Sequence, residues 1–207
     1  MLPAPPPLAS LPVQQGGTKP SRALPYVLHV HDLIDNDRIA LAFVNSGQAG
    51  AVFHVYDERR LQLGPRRYTV EAGKELRADW LPDADGGYDL WVLGPNGFHR
   101  HFCGHGSQGL AVRCADGVDG IAIALANPEP GALACTVSDN VYGAPAWIVT
   151  VAPGASAVRL WPLAASGNWY DLSVQVHAWP GYLRRLAWRI ETGSDGISDP
   201  AMGAVLR

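Results

Sequence analysis

Apolar and polar positions alternate along most of this chain in short runs, each closed by a cluster of Gly, Pro, Asn, Asp or Ser. Successive residues of an extended strand point to opposite faces, so such runs predict half-buried β-strands. Tyr26–His31, Arg38–Asn45 (Ile39, Leu41 and Phe43 on one face), Ala51–Asp57, Arg67–Glu71, Glu75–Trp80, Tyr88–Leu93 and Phe98–Cys103 form one series. Asp32–Asp37, Ser46-Gly47-Gln48, Ala72-Gly73-Lys74 and Gly94-Pro95-Asn96-Gly97 supply turn chemistry between them. About seven short strands punctuated in this way is the count of an immunoglobulin-like β-sandwich.

The series then returns. Thr69-Val70-x-x-Gly73, Trp80, Tyr88-Asp89-Leu90 and Gly97-Phe98 recur as Thr150-Val151-x-x-Gly154, Trp161, Tyr170-Asp171-Leu172 and Gly181-Tyr182. Asn127 follows Asn45 by 82 positions and Tyr170 follows Tyr88 by the same offset, while Trp161 follows Trp80 by 81. A repeat of this length predicts two tandem all-β sandwich domains of one design. We place them at 24–106 and 107–193. Tyr88 and Tyr170, each entering a strand from a Gly-containing corner, are read as tyrosine corners: ring inward, hydroxyl on a backbone group just upstream. Trp80 and Trp161 are read as plugs of the two cores. Residues 1–23, with Pro3, Pro5, Pro6, Pro7, Pro12 and Pro20, form an extended linker, which implies that something precedes it. Residues 194–207 form a tail with little to pack.

Composition changes this picture only slightly. Of 207 residues 47% are apolar, enough for a core in each half, and 23 Gly with 17 Pro suit many turns. A net charge of −3 supplies no basic field, so no nucleic-acid partner is expected. No apolar run reaches the roughly 18 residues of a membrane span, and no charged-then-apolar leader is visible. Cys103, Cys114 and Cys135 contain no C-x-x-C pair. One bridge, Cys103 to Cys114, is open to the chain, and free buried thiols are the favoured reading.

Candidate chemistry is sparse. His29 with His31, and His99 with His101, share a strand face and offer paired nitrogens to a metal, with His105 nearby. Zinc needs three or four converging ligands, and the second repeat breaks the pattern with Leu183-Arg184-Arg185, so half-exposed strand histidines are favoured. Asp32, Asp35 and Asp37 are candidate calcium ligands, weighed against ordinary turn chemistry, which is preferred. No Gly-x-Ser-x-Gly elbow or phosphate loop is present, and no cofactor is expected. Trp169, Trp179 and Tyr182 crowd the last hairpin of the second repeat beside Arg184 and Arg185. These five are the candidate surface contacts, for a lipid interface, a sugar or a partner domain.

Several segments carry a resemblance. They are Leu24-Pro25-Tyr26, Ala49 to Asp57, Pro65 to Lys74, Tyr88 to Arg100, Ala165 to Leu172, Glu191-Thr192-Gly193 and Ser198 to Gly203. Together they resemble the C-terminal region of bacterial phosphocholine-type phospholipases C, haemolytic and non-haemolytic. The resemblance implies two small all-β domains behind a large catalytic domain. That domain resembles acid and alkaline phosphatases, with acidic and histidine metal ligands and a hydroxyl nucleophile. None of it lies in these residues, so no catalytic residue is carried over and no free-standing enzyme is expected. The resemblance further implies an exported protein, secreted or periplasmic. The expected role is accessory: packing on the parent's catalytic domain, or docking it to phospholipid surfaces. The alternatives are a sugar- or calcium-binding module and a protein-interaction scaffold.

Overall fold

Alternation starts the strands and turn residues stop them. The computed structural model describes residues 17–35, 38–106 and 108–203. A two-residue strand β1 (Pro20–Ser21) precedes the first series: β2 (Leu28–Asp35), β3 (Arg38–Asn45), β4 (Ala51–Asp57), β5 (Arg66–Val70), β6 (Lys74–Trp80), β7 (Gly87–Leu93) and β8 (His99–His105). The second series is β9 (Ala111–Gly117), β10 (Gly120–Ala126), β11 (Leu133–Asp139), β12 (Trp147–Val151), β13 (Ser156–Pro162), β14 (Trp169–Val176) and β15 (Leu183–Arg189), followed by β16 (Gly196–Ile197). Each repeat therefore has seven strands, three (β2-β3-β6 or β9-β10-β13) laid over four (β5-β4-β7-β8 or β12-β11-β14-β15). The expected strands over 38–45 and 51–57 match to the residue. The first expected strand instead starts at Leu28 and runs through to Asp35, so Asp32 lies within a strand rather than a turn.

Recurring residues have recurring jobs. Gly73 and Gly154 sit between β5 and β6 and between β12 and β13 at φ of 70° and 68°, a left-handed conformation that favours glycine. Trp80 and Trp161 are buried, as are Tyr88 and Tyr170. The Asn45 side chain donates to the carbonyls of Ala49 (2.8 Å) and Val70 (3.0 Å), and Asn127 does the same to Gly131 (2.8 Å) and Val151 (2.9 Å). Each Asn thus ties the end of a central strand to its own loop and to the edge strand of the opposite sheet. A buried amide must find such partners.

The two sandwiches share a sheet. β8 and β15, the last strands of the two repeats, pair antiparallel, with His101 opposite Arg185 and Arg100 opposite Leu186. This pairing merges both four-stranded layers into one eight-stranded sheet and removes two exposed edges. Because the same strand of each repeat pairs antiparallel with its counterpart, the junction is close to two-fold symmetric. Arg100 and Arg184 hold corresponding places 84 positions apart, and each reaches the other repeat's tyrosine. Arg184 donates to the Tyr88 hydroxyl, and Arg100 to the Tyr170 hydroxyl at 2.9 Å. The tyrosines face inward as expected, but their oxygens accept from an arginine of the neighbouring repeat, not from upstream backbone. A buried guanidinium must place five donors, and a buried phenol oxygen is a ready acceptor.

The tail is not loose. β16 pairs with β1, Ser198 N–H donates to the Lys19 carbonyl at 2.8 Å, and the Tyr142 hydroxyl donates to Asp199 at 2.8 Å. The segment from Asp195 to Met202 thereby folds back over the second repeat and fastens the incoming chain. Edge-strand hydrogen bonds supply what its few apolar residues cannot. Cys103, Cys114 and Cys135 are all free; Cys114 and Cys135 are buried as favoured, whereas Cys103 is only partly so.

Candidate functional site

The structure disperses most of the residues that the sequence singles out. Asp32 is committed to Arg184, whose Nε donates to it at 2.8 Å, and it is 3% exposed, which removes it as an open calcium ligand. The side chain of Asp35 and the whole of Asp37 lie outside the described residues. Of the five candidate surface contacts, three are corrected to buried positions. Tyr182 is buried and donates to the Leu110 carbonyl at 3.0 Å, Arg184 is buried in the junction, and Trp169 is buried with its Nε1–H on the Ile197 carbonyl at 3.0 Å. Trp179 is half-buried against Tyr182, at 5.4 Å between ring centroids. Arg185 and Trp169 lie on the outer face of the sheet, Trp169 under the folded-back tail. The signal for this was available. Tyr182, Arg184, Leu186 and Trp188 share one strand face, so an inward Leu186 carries Arg184 inward too.

The outer face of the shared sheet carries a groove of about 660 Å³, floored by β7, β8, β14 and β15 and walled by the folded-back tail. Trp91, His99, Tyr142, Asp171, Arg185 and Asp199 line it. Arg185 grips Asp171 through both Nε (2.8 Å) and Nη2 (2.5 Å), and Asn140 adds a third bond at 2.7 Å. Burial works to raise the Asp171 carboxyl, but Arg185 and Asn140 outweigh it and hold it below the usual range. Burial, with Arg185 close by, pushes His99 down to about 4. The groove is therefore a partly aromatic surface in which Arg185 and Asp171 are paired with each other and Asp199 is held by the Tyr142 hydroxyl.

Beside it, β7 and β8 bring Asp89, His101 and Cys103 together. Asp89 stands directly opposite Cys103, and His101 shares the outer face two residues away. His101 Nε2 lies 2.7 Å from Asp89 Oδ1. Burial, reinforced by Asp89, pushes the Cys103 thiol up to about 11. The three potential ligand atoms lie within 4.8 Å of one another, the one such cluster among the described residues. His29 and His31, one of the two candidate histidine pairs, stack at 5.9 Å, and no three-ligand cluster forms around them among the described residues. Burial, with Arg113 and His29 adding to it, pushes His31 down to about 3.

A fourth feature shows when the repeats are compared. In the first, the outer face of β6 presents Glu75, Arg77 and Asp79 opposite Val44, Ala42 and Ala40. In the second, Arg77 and Asp79 are replaced by Val158 and Leu160, opposite Ala124 and Ala122. Val158 is 65% exposed and Leu160 49%. With Ala111, Ala115 and Ala126 on neighbouring strands, this makes a largely apolar face, interrupted by Arg113 opposite Ala124, whose guanidinium reaches the Asp32 carbonyl. The sequence held this contrast in corresponding slots 81 positions apart.

Comparison with known proteins places the chain. It matches the family model described as bacterial phospholipase C, C-terminal domain, once over residues 20–105 and again over 110–189. It is 41% identical to a non-hemolytic phospholipase C of Pseudomonas aeruginosa, covering 97% of this chain and 31% of that protein. A non-hemolytic phospholipase C of Burkholderia pseudomallei is 39% identical, over 96% of this chain and 30% of the relative. A hemolytic phospholipase C of Pseudomonas aeruginosa is 34% identical, over 93% and 31%. The chain thus spans about a third of the length of the relatives it matches.

Proposed function

This chain belongs to the family of bacterial phospholipase C C-terminal domains, and on that footing we propose that it is a non-catalytic accessory region that packs on the catalytic part of a phospholipase C. The observation that carries this reading is the exchange of Arg77 and Asp79 for Val158 and Leu160 on otherwise matching frames. Exposed Val and Leu on a flat sheet lose free energy in water, about 25 cal/mol per Å² of apolar surface, and gain it back when covered. In a protein of the relatives' length, the remaining two thirds or so is the partner at hand. Hydrolysis of phosphatidylcholine-type lipids, and residence outside the cytoplasm, belong on this reading to the whole protein.

Direct docking to phospholipid loses support, because Tyr182 and Arg184 are turned inward and Trp169 is covered by the folded-back tail. Calcium binding likewise loses Asp32. The test is V158R/L160D in a full-length phospholipase C carrying this chain, which gives the second repeat the surface of the first. Catalytic-part thermal stability and secreted yield should fall several-fold, while sedimentation of the chain with phosphatidylcholine vesicles stays unchanged. An unaffected full-length enzyme, or vesicle binding that depends on these two residues, contradicts the proposal.

A further inference from the structure

The Asp89, His101 and Cys103 cluster differs from its counterpart in a way that points to a ligand. The corresponding residues of the second repeat are Asp171, Arg185 and Ala187, in the same cross-strand arrangement. There a permanent cation saturates the carboxylate through two hydrogen bonds and no sulfur is present. In the first repeat the same slots hold a carboxylate, an imidazole and a thiol, and none of the three is a fixed cation. Asp89 is 28% exposed at its side chain and His101 14%, so the cluster is sheltered but reachable. From these facts we propose that Asp89, His101 and Cys103 form a three-ligand site for a borderline-soft divalent metal, of the zinc class.

The chemistry selects the metal. Thiolate with imidazole favours zinc and its first-row neighbours over magnesium and calcium, which take oxygen. The geometry is within reach. Zinc–nitrogen and zinc–oxygen bonds of about 2.0 Å and a zinc–sulfur bond of about 2.3 Å place ligand atoms roughly 3.3–3.6 Å apart in a tetrahedron. The present contact of 2.7 Å between His101 and Asp89 opens by under about 1 Å to admit the ion. All three residues sit on two paired strands of the central sheet, so their backbones are already fixed. Binding exchanges the Cys103 thiol proton for the metal and releases it to solvent. Three protein ligands leave the fourth position to water or to a group from whatever the sheet faces. Arg185, cross-strand from His101, does not oppose the ion strongly because Asp171 already neutralises it.

The test uses the whole chain, reduced, titrated with Co²⁺ as the spectroscopic probe. The expected result is a thiolate-to-cobalt charge-transfer band that saturates at one equivalent and is displaced by Zn²⁺. C103S should abolish the band. D89N and H101Q should each weaken zinc binding at least about 100-fold, beyond what loss of an outer hydrogen-bond partner costs. No band in the unsubstituted chain overturns the proposal. So does a band that survives C103S, since Cys114 or Cys135 then supplies the sulfur. Unchanged zinc affinity in both D89N and H101Q overturns it as well, whatever C103S does to the fold.

Discussion

Asp32 in the first repeat and Cys114 in the second occupy the same slot, 82 positions apart, and each faces an arginine from the other repeat. Arg184 therefore meets a carboxylate, a phenol and the Cys103 carbonyl. Arg100 meets a thiol at 3.7 Å, the Tyr170 hydroxyl at 2.9 Å and the Ala187 carbonyl at 3.2 Å, with the Phe98 ring 4.3 Å beneath it. The same frame thus holds one buried ion pair and one buried cation supported only by neutral acceptors and an aromatic face. The contrast shows that what is shared between the halves is the need to fill a two-fold junction, and the chemistry filling it is free to differ. It also fixes what removal should cost, since losing one member of a buried ion pair strands a charge and losing a cation among neutral groups does not.

The first way to break the comparison follows directly. Arg184→Met should destabilise the chain by about 3–5 kcal/mol in urea unfolding, because buried Asp32 is left with only the looser 3.8 Å contact to Arg113. Arg100→Met should cost less, about 1–3 kcal/mol, the penalty for an unsatisfied Tyr170 hydroxyl and backbone acceptors. Equal losses would remove the asymmetry. Between these, Asn45→Ala and Asn127→Ala should each cost about 1–3 kcal/mol, and by the same amount in both repeats, since each strands one buried and one part-buried carbonyl. A difference between them much above about 1 kcal/mol would mean the repeats do not share this tie.

Acid sharpens the contrast further. His31 in the first repeat is held neutral with its pKa near 3, against the ordinary 6.5. The folded pKa is lowered, so the unfolded chain binds the extra proton, and stability is full above about pH 6.5 and falls as pH drops toward 3. The slope from this one residue approaches about 1.4 kcal/mol per pH unit. Arg113 occupies the corresponding place in the second repeat, so this histidine has no counterpart there. Unfolding measured from pH 7 to 4 should therefore lose part of its acid slope in His31→Gln, and an unchanged slope would place the titration elsewhere. The smallest effect belongs to V158R/L160D in the chain by itself, within about 0.5 kcal/mol of the parent, because both side chains already face water.

Much of this fold is legible in the alternation of the sequence. Strands over 38–45 and 51–57, the buried pairs Tyr88 with Tyr170 and Trp80 with Trp161, and the turn glycines Gly73 and Gly154 are local features that repeat. What is not legible depends on distant partners. Arg184 and Asp32 lie 152 positions apart, and an Arg-Arg pair reads as solvated surface until the strand face is assigned. The merged sheet exists because two final strands meet, which neither repeat announces by itself. The tail reads as unstructured because its hold is backbone pairing to Pro20–Ser21, not apolar burial. The metal cluster was hidden for a related reason. His99 and His101 look like a pair along one strand, whereas the ligand set forms across two strands and takes only one of them.

The central claim is that the second repeat's apolar face is covered in the whole protein and the first repeat's surface is not. Hydroxyl-radical footprinting of side chains, comparing this chain with a full-length phospholipase C that contains it, tests this directly. The account predicts strong protection of Val158 and Leu160 in the full-length protein, with Leu61 and Leu63 of the first repeat, 53% and 74% exposed, oxidised alike in both. Equal oxidation of Val158 and Leu160 in the two samples would contradict it.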